Sequence, residues 1–136
     1  MPKRIAVFGG SFNPPGLHHR NLAAELTRHF DEVIIVPCGP RPDKPTNNDV
    51  DPIHRAIMND IAFRDIEGVR LELFDLEHST FTKTHELDEM FAPEGEVWHV
   101  VGSDLVRGGA DGASFVHKVW ENGAELWNKQ IGRAHV

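Results

Sequence analysis

The run Gly9-Gly10-Ser11-Phe12-Asn13-Pro14-Pro15-Gly16, with His18, His19 and Arg20 close behind it, holds the residue types that handle phosphate. Paired glycines let backbone N–H groups approach a ligand closely. A helix that begins just past such a loop points unsatisfied N–H groups and the positive end of its dipole at the same place, which favours an anion. Imidazolium N–H groups at the helix tip would neutralise phosphate charge as it redistributes in a transition state. The competing structural reading is a plain glycine turn followed by solvated histidines. The loop is not the dinucleotide fingerprint, because its glycines lack the G-x-G-x-x-G spacing.

Other chemistries find less support. Adjacent histidines point about 100° apart on a helix, and no carboxylate stands at ligand spacing from His18 and His19, so no metal site is expected. His85-Glu86-Leu87-Asp88-Glu89 resembles a zinc-protease helix only in part, since Glu89 stands where the second histidine must be. Ser11, Ser79, Ser103 and Ser114 have no evident base partner, and Cys38 has only Arg41 and Lys44 nearby. These residues offer no convincing triad for nucleophilic catalysis.

The elements that must position the loop follow from hydrophobic patterning. Lys3 to Phe8 reads as a buried strand, and the glycines and prolines after it end that strand. His18 to Phe30 has helical spacing at Leu22, Leu26 and Phe30. Glu32 to Val36 is a β-branched strand closed by Pro37. Cys38 to Val50 is a loop with prolines at 40, 42 and 45. Asp51 caps a helix with Pro52 at its first position, and Ile53, Ile57 and Ile61 mark its expected buried stripe. Val69 to Leu73 is a third strand, Thr82 to Phe91 a helix with Leu87 and Phe91 inward, and Glu96 to Val101 a fourth strand leading to Gly102-Ser103-Asp104. Beyond it, Phe115 to Trp127 mixes helical spacing with Gly123.

Four strand–helix alternations imply an α/β, Rossmann-like, doubly wound parallel sheet with helices on both faces. The first strand should be central and the crevice should lie at the carboxyl ends of the strands. Each unusual loop follows a strand, so architecture and chemistry agree on one site.

Composition narrows the partners. The chain has 136 residues, of which 40% are hydrophobic and 26% charged, a globular balance for about one domain. No run reaches the roughly 20 apolar residues of a membrane span, so no membrane is expected. One cysteine excludes an internal disulfide framework and points to a reducing, cytoplasmic setting. The net charge of −7 argues against a nucleic-acid partner. Residues 1–44 nevertheless carry six basic and four acidic side chains, a net of +2, which leaves −9 for the remainder and directs attention to the N-terminal third.

Gly9-Gly10-Ser11-Phe12-Asn13-Pro14-Pro15 followed by His19 resembles the opening motif of the nucleotidylyltransferase superfamily, and within it the nicotinate (or nicotinamide) mononucleotide adenylyltransferases. That pattern is Gly-Gly-Ser/Thr-Phe-Asp/Asn-Pro-Pro-His-x-Gly-His. Later segments are similar in the same order: Pro37, Pro42 and Lys44 to a proline-spaced basic loop, Arg55 and Met58 to a second-helix motif, Phe81-Thr82 to a Tyr-Thr pair, and Gly102-Ser103-Asp104 to a Gly-x-Asp turn. The resemblance covers residues 3–105. It implies attack by a mononucleotide phosphate on the α-phosphorus of ATP, with Mg2+ accompanying the ATP and pyrophosphate leaving; positioning and charge neutralisation suffice for such a transfer. It implies ATP contacts at Gly9, Gly10, Ser11, Phe12, Asn13, Gly102 and Asp104, catalytic roles for His19, His18 and Lys44, and mononucleotide contacts at Arg41, Lys44, Arg55, Thr82 and Trp120. Three positions depart from the pattern. Gly16 stands where it has its first histidine, His18 where it has glycine, and Asp43 where a histidine often precedes the lysine.

Residues 1–129 are accordingly expected to form a nucleotidylyltransferase-like domain incomplete at its C-terminus, lacking a fifth strand and a final helix. Residues 130–136 are expected to be a non-native tail, since Gln130 to Val136 match a translation of CAG-ATC-GGA-AGA-GCA-CAC-GTC, a stretch of a common sequencing-library adapter. The chain by itself is expected to be poorly active. Alternatives are another acceptor (phosphopantetheine, or an alcohol phosphate with CTP), a non-catalytic nucleotide-binding module, or a structural α/β domain.

Overall fold

Four strands, β1 (Arg4–Gly10), β2 (Glu32–Pro37), β3 (Val69–Leu71) and β4 (Glu96–His99), pair in parallel in the order β3-β2-β1-β4. They belong to a computed structural model that describes residues 2–39 and 50–101. The first strand is interior, as expected. Val33, Ile34, Ile35 and Val36 of β2 are all buried, because a parallel strand covered on both faces has no polar side to alternate with.

The pleat sorts the apolar residues into two cores. Ile5, Val7, Ile34, Val36 and Val97 meet Leu87 and Phe91 of α4 (Thr84–Phe91), with Phe74 of α3 (Phe74–His78) against them. On the other face Ala6, Val33 and Ile35 meet Phe12, Ala23 of α1 (Leu17–Leu26) and Phe63 of α2 (Pro52–Phe63). Helices therefore cover both faces, and the expected doubly wound arrangement is the observed one.

Several local expectations change. Gly9 and Gly10 remain in β1, paired with Val36 and Pro37, because the parallel ladder with β2 carries the strand past Phe8. Helix α1 stops at Leu26, and Phe30 packs on the core from the turn that follows. The short α3 lies in a segment where sequence patterning gave no helix.

The largest correction concerns α2. Ile53, Ile57 and Ile61 are 61%, 51% and 58% exposed, whereas Arg55, Asn59 and Phe63 form the buried face. Hydrophobic spacing selects the isoleucine stripe, but the surface that α2 covers is partly a set of backbone carbonyls, which require donors rather than methyl groups.

The start of α2 agrees with expectation. Asp51 Oδ1 accepts a hydrogen bond from Ile53 N at 3.0 Å, and Pro52 follows. Asp51→Ala is expected to cost about 1 kcal/mol in urea unfolding, while Asp51→Asn stays close to wild type. Equal stability of the two variants would remove the cap from the account of this helix.

Among the described residues no helix is long and apolar enough to cross a membrane. The proline loop at residues 40–49, the Gly102-Ser103-Asp104 turn, the Phe115 to Trp127 segment and the boundary at residue 130 lie outside the described residues.

Candidate functional site

The chain leaves β1 at Gly10 and β2 at Pro37, so the segments 11–16 and 38–39 meet at the carboxyl edge of the sheet. Cys38 N donates to Gly10 O at 2.8 Å and carries the ladder one step further. Phe12 turns the first segment through a left-handed backbone (φ 43°) and drives its ring into the core, in edge contact with Phe8, Phe63 and His19. A Cβ on Gly10 would lie 3.3 Å from the Phe12 ring, so this glycine admits the ring. Phe12 thus anchors the loop through its side chain and has only its backbone to offer a nucleotide. The peptide between Asn13 and Pro14 is cis.

Two polar residues on the buried face of α2 hold this loop from beneath. Arg55, 1% exposed, donates from Nη2 to Ser11 O at 2.5 Å and to Cys38 O at 2.8 Å. Asn59 donates from Nδ2 to Phe12 O at 3.2 Å and to Arg55 O at 2.8 Å. One guanidinium therefore joins the loop after β1 to the loop after β2. Arg55, which the resemblance implied at the mononucleotide, is placed inside the fold with its Nη2 on two backbone carbonyls.

Thr82, also implied at the mononucleotide, is organised by a residue that sequence reasoning missed. Buried Asp75 accepts from Thr82 Oγ1 at 2.6 Å, Thr82 N at 3.0 Å and Thr80 Oγ1 at 2.7 Å. Thr80 O in turn accepts from Gly39 N at 2.9 Å. A Cβ on Gly39 would run into the Thr80 and Asp75 carbonyls, so the two segments can lie together only with glycine there. A second missed pair is His99 and Asp88, both buried, with Nε2 and Oδ1 3.1 Å apart, tying β4 to α4. No spacing rule relates positions on different elements, so neither Asp75 nor Asp88 carries a one-dimensional signal.

The histidines sit at the start of α1. Gly16 is the N-cap, and its N–H donates to His19 Nδ1 at 2.9 Å. An Nδ1 that accepts a hydrogen bond carries no proton, so the neutral ring has its hydrogen on Nε2. Burial, followed by the neighbouring His18, holds His19 below the ordinary histidine pKa of 6.5. The group is therefore a neutral Nε2–H donor at pH 7 rather than the standing imidazolium that its sequence context suggested. The His18 and His19 rings also lie with centroids 3.9 Å apart and planes at 39°, against the expectation that adjacent side chains on a helix diverge. Among the described residues no group of three or more His, Cys, Asp or Glu could hold a metal ion.

The basic excess of the N-terminal third is distributed differently from what the count implied. Lys3 and Arg4 stand at the opposite end of β1, pairing with Glu32 and with the His29 carbonyl. Arg20 grips Asp65 with both terminal nitrogens, at 2.6 and 2.9 Å. Arg41 and Lys44, with Gly102, Asp104 and Trp120, lie outside the described residues.

Sheet order, loop placement and the histidine-tipped helix together describe a nucleotidyltransferase-type α/β domain, and the chain belongs to the cytidylyltransferase-like family, whose model matches residues 7–126. Within it, the chain is 30% identical over 111 residues to a protein of Streptococcus pyogenes named a probable nicotinate-nucleotide adenylyltransferase, covering 76% of this chain and 52% of the relative. It is 28% identical to the nicotinate-nucleotide adenylyltransferase of Bacillus subtilis, over 77% of this chain and 58% of the relative. Among solved structures, the nicotinic acid mononucleotide adenylyltransferase of Plasmodium falciparum complexed with NaAD matches with a TM-score of 0.68 and 27% identity, over 91% of this chain and 60% of that one. The chain thus spans about half the length of the curated relatives it matches. The family expected from the loop motif is the family found.

Proposed function

We propose that this chain carries the nucleotide-binding part of an adenylyltransferase that joins nicotinate mononucleotide to the adenylyl group of ATP. A phosphate oxygen of the mononucleotide attacks the α-phosphorus. The bond from that phosphorus to the bridging oxygen breaks, and pyrophosphate leaves with the electron pair. Magnesium enters with ATP as part of the substrate. The observation that carries the reading is the His19 ring, fixed by the Gly16 N–H so that its Nε2–H is a ready donor at the helix tip beside the glycine loop. The named activity of the relatives supports nicotinate as the acceptor base. The loop backbone at Gly9, Gly10, Ser11, Phe12 and Asn13 lines the ATP side, and Arg41 and Lys44 belong to the anion-holding loop. A cytoplasmic setting goes with this reading.

Pyrophosphate release tests it, using this chain and a form extended to the length of the relatives. The extended form is expected to release pyrophosphate from ATP with nicotinate mononucleotide, and less with nicotinamide mononucleotide, phosphopantetheine or CTP with an alcohol phosphate. Binding of ATP without turnover on any acceptor would favour a nucleotide-binding module. Failure to bind millimolar ATP would leave a structural α/β domain.

A further inference from the structure

We propose that His18 supplies a second imidazole to the phosphate groups of the nucleotide, and that Gly16 lacks a side chain so that the His18 ring can occupy its place. The inference rests on the reading of the site given above and concerns how this chain completes it.

The backbone at Gly16 is ordinary. Its φ of −94° and ψ of 170° suit any residue, so conformation does not call for glycine. Space does. A Cβ on Gly16 would lie 2.8 Å from both Cε1 and Nδ1 of His18, closer than real contacts allow. The His18 ring therefore folds back over Gly16 and fills the volume in which a side chain at residue 16 would begin. The sequence departs from the family pattern at these same two positions, with glycine at 16 where the pattern has histidine and histidine at 18 where it has glycine. In three dimensions the two departures cancel, since the imidazole that residue 16 lacks arrives from residue 18.

The placement also groups the rings. His18 stacks on His19 at 3.9 Å, and His19 is held by the N–H of the same Gly16. His18 itself remains exposed. Two imidazoles beside the positive end of a helix gain nothing from each other electrostatically, and His18 lowers the proton affinity of His19. An anion spanning both rings reverses that balance, because each N–H then faces negative charge.

The test is the affinity of the chain for ATP and for inorganic tripolyphosphate, measured by calorimetry. His18→Ala is expected to weaken both by about tenfold or more, the loss of one hydrogen bond to a charged group. Gly16→Ala should weaken them too, because the added Cβ displaces the His18 ring. The exchange of the two residues, G16H with H18G, should return affinity to within about threefold of wild type, near the resolution of such comparisons. As a readout independent of the variants' folding, tripolyphosphate added to the wild-type chain should shift the imidazole NMR signals of both His18 and His19. Wild-type affinity in His18→Ala, a double variant no better than H18G alone, or an unmoved His18 signal would each overturn the inference. If His19→Ala weakens binding while the His18 variants do not, the site reading stands and this inference falls. If the wild-type chain binds neither ligand, both fall.

Discussion

Arg55→Ala is expected to destabilise the chain by about 3–5 kcal/mol in urea unfolding, combining a large-to-small change in the core with one buried and one half-buried carbonyl left without this donor. The guanidinium is almost fully buried, and its Nη2 serves both Ser11 O and Cys38 O. Removing a buried charge also relieves its desolvation, and a well-packed apolar substitute can offset much of the loss of such a group. Here the offset is limited, because the acceptors belong to backbone that cannot turn away without unmaking the ends of β1 and β2. Arg55→Met should therefore recover volume but not donors, and fall between alanine and wild type. Arg55→Lys keeps a donor and a charge and should be the mildest of the three. A loss below about 1 kcal/mol for Arg55→Ala would show that the loops reach water once the guanidinium is gone. The same variant is expected to raise the KM for ATP more than it lowers kcat, since Arg55 acts through the loop as a positioning residue.

For His19 the expected effect is on turnover. In the extended form, His19→Ala should lower kcat by about 10²–10³, the loss of one donor aimed at developing phosphate charge. Alanine also removes the acceptor for Gly16 N–H, worth about 1 kcal/mol at a helix N-terminus. Glutamine at this third helical position can accept that N–H through its side-chain oxygen. His19→Gln should thus regain stability while remaining slow, which separates the cap from the catalytic role. The pH dependence has a definite sign. The folded His19 titrates below 6.5 and the unfolded one near it, so between those values the unfolded chain binds more protons. Stability accordingly rises with pH through that window and is lost as pH falls, when Nδ1 takes a proton and can no longer accept from Gly16. Melting temperatures compared across about pH 5–8 should show a weaker acid-side decline for His19→Gln than for wild type. Parallel curves would place the titration elsewhere.

The fold, and the meeting of the loops after β1 and β2 at one sheet edge, were legible in the chain because both depend on local pattern. The apolar runs at Ile5–Phe8 and Val33–Val36 could only be strands buried on both faces, and glycine and proline after them could only be loops. Alternation of such strands with helices forces a parallel sheet, whose odd loops gather at one edge. Asp51-Pro52 marked the start of α2 by its own hydrogen bond and ring.

Legibility ended where a residue's partner is distant in sequence. The exposed isoleucines of α2 look like a core stripe because periodicity reports which residues share a face, and not what that face meets. What it meets is the backbone of Ser11, Phe12 and Cys38, reached only after the sheet has folded. Asp75 reaches Thr80 and Thr82 only five and seven residues on, but they lie in the irregular segment between α3 and α4, whose path no periodicity describes. The sequence alone determined the architecture, the family and the place of the glycine loop after β1, since these follow from short-range preferences and a contiguous motif. The tertiary structure alone decided that Arg55 and Asn59 brace that loop, that His19 is a neutral donor, and that His18 stands over Gly16. The bracing depends on where buried donors and acceptors find one another across the fold, a three-dimensional constraint that spacing along the chain does not encode. The histidine placements depend on how side chains turn within the first turn of α1, which residue type alone does not fix.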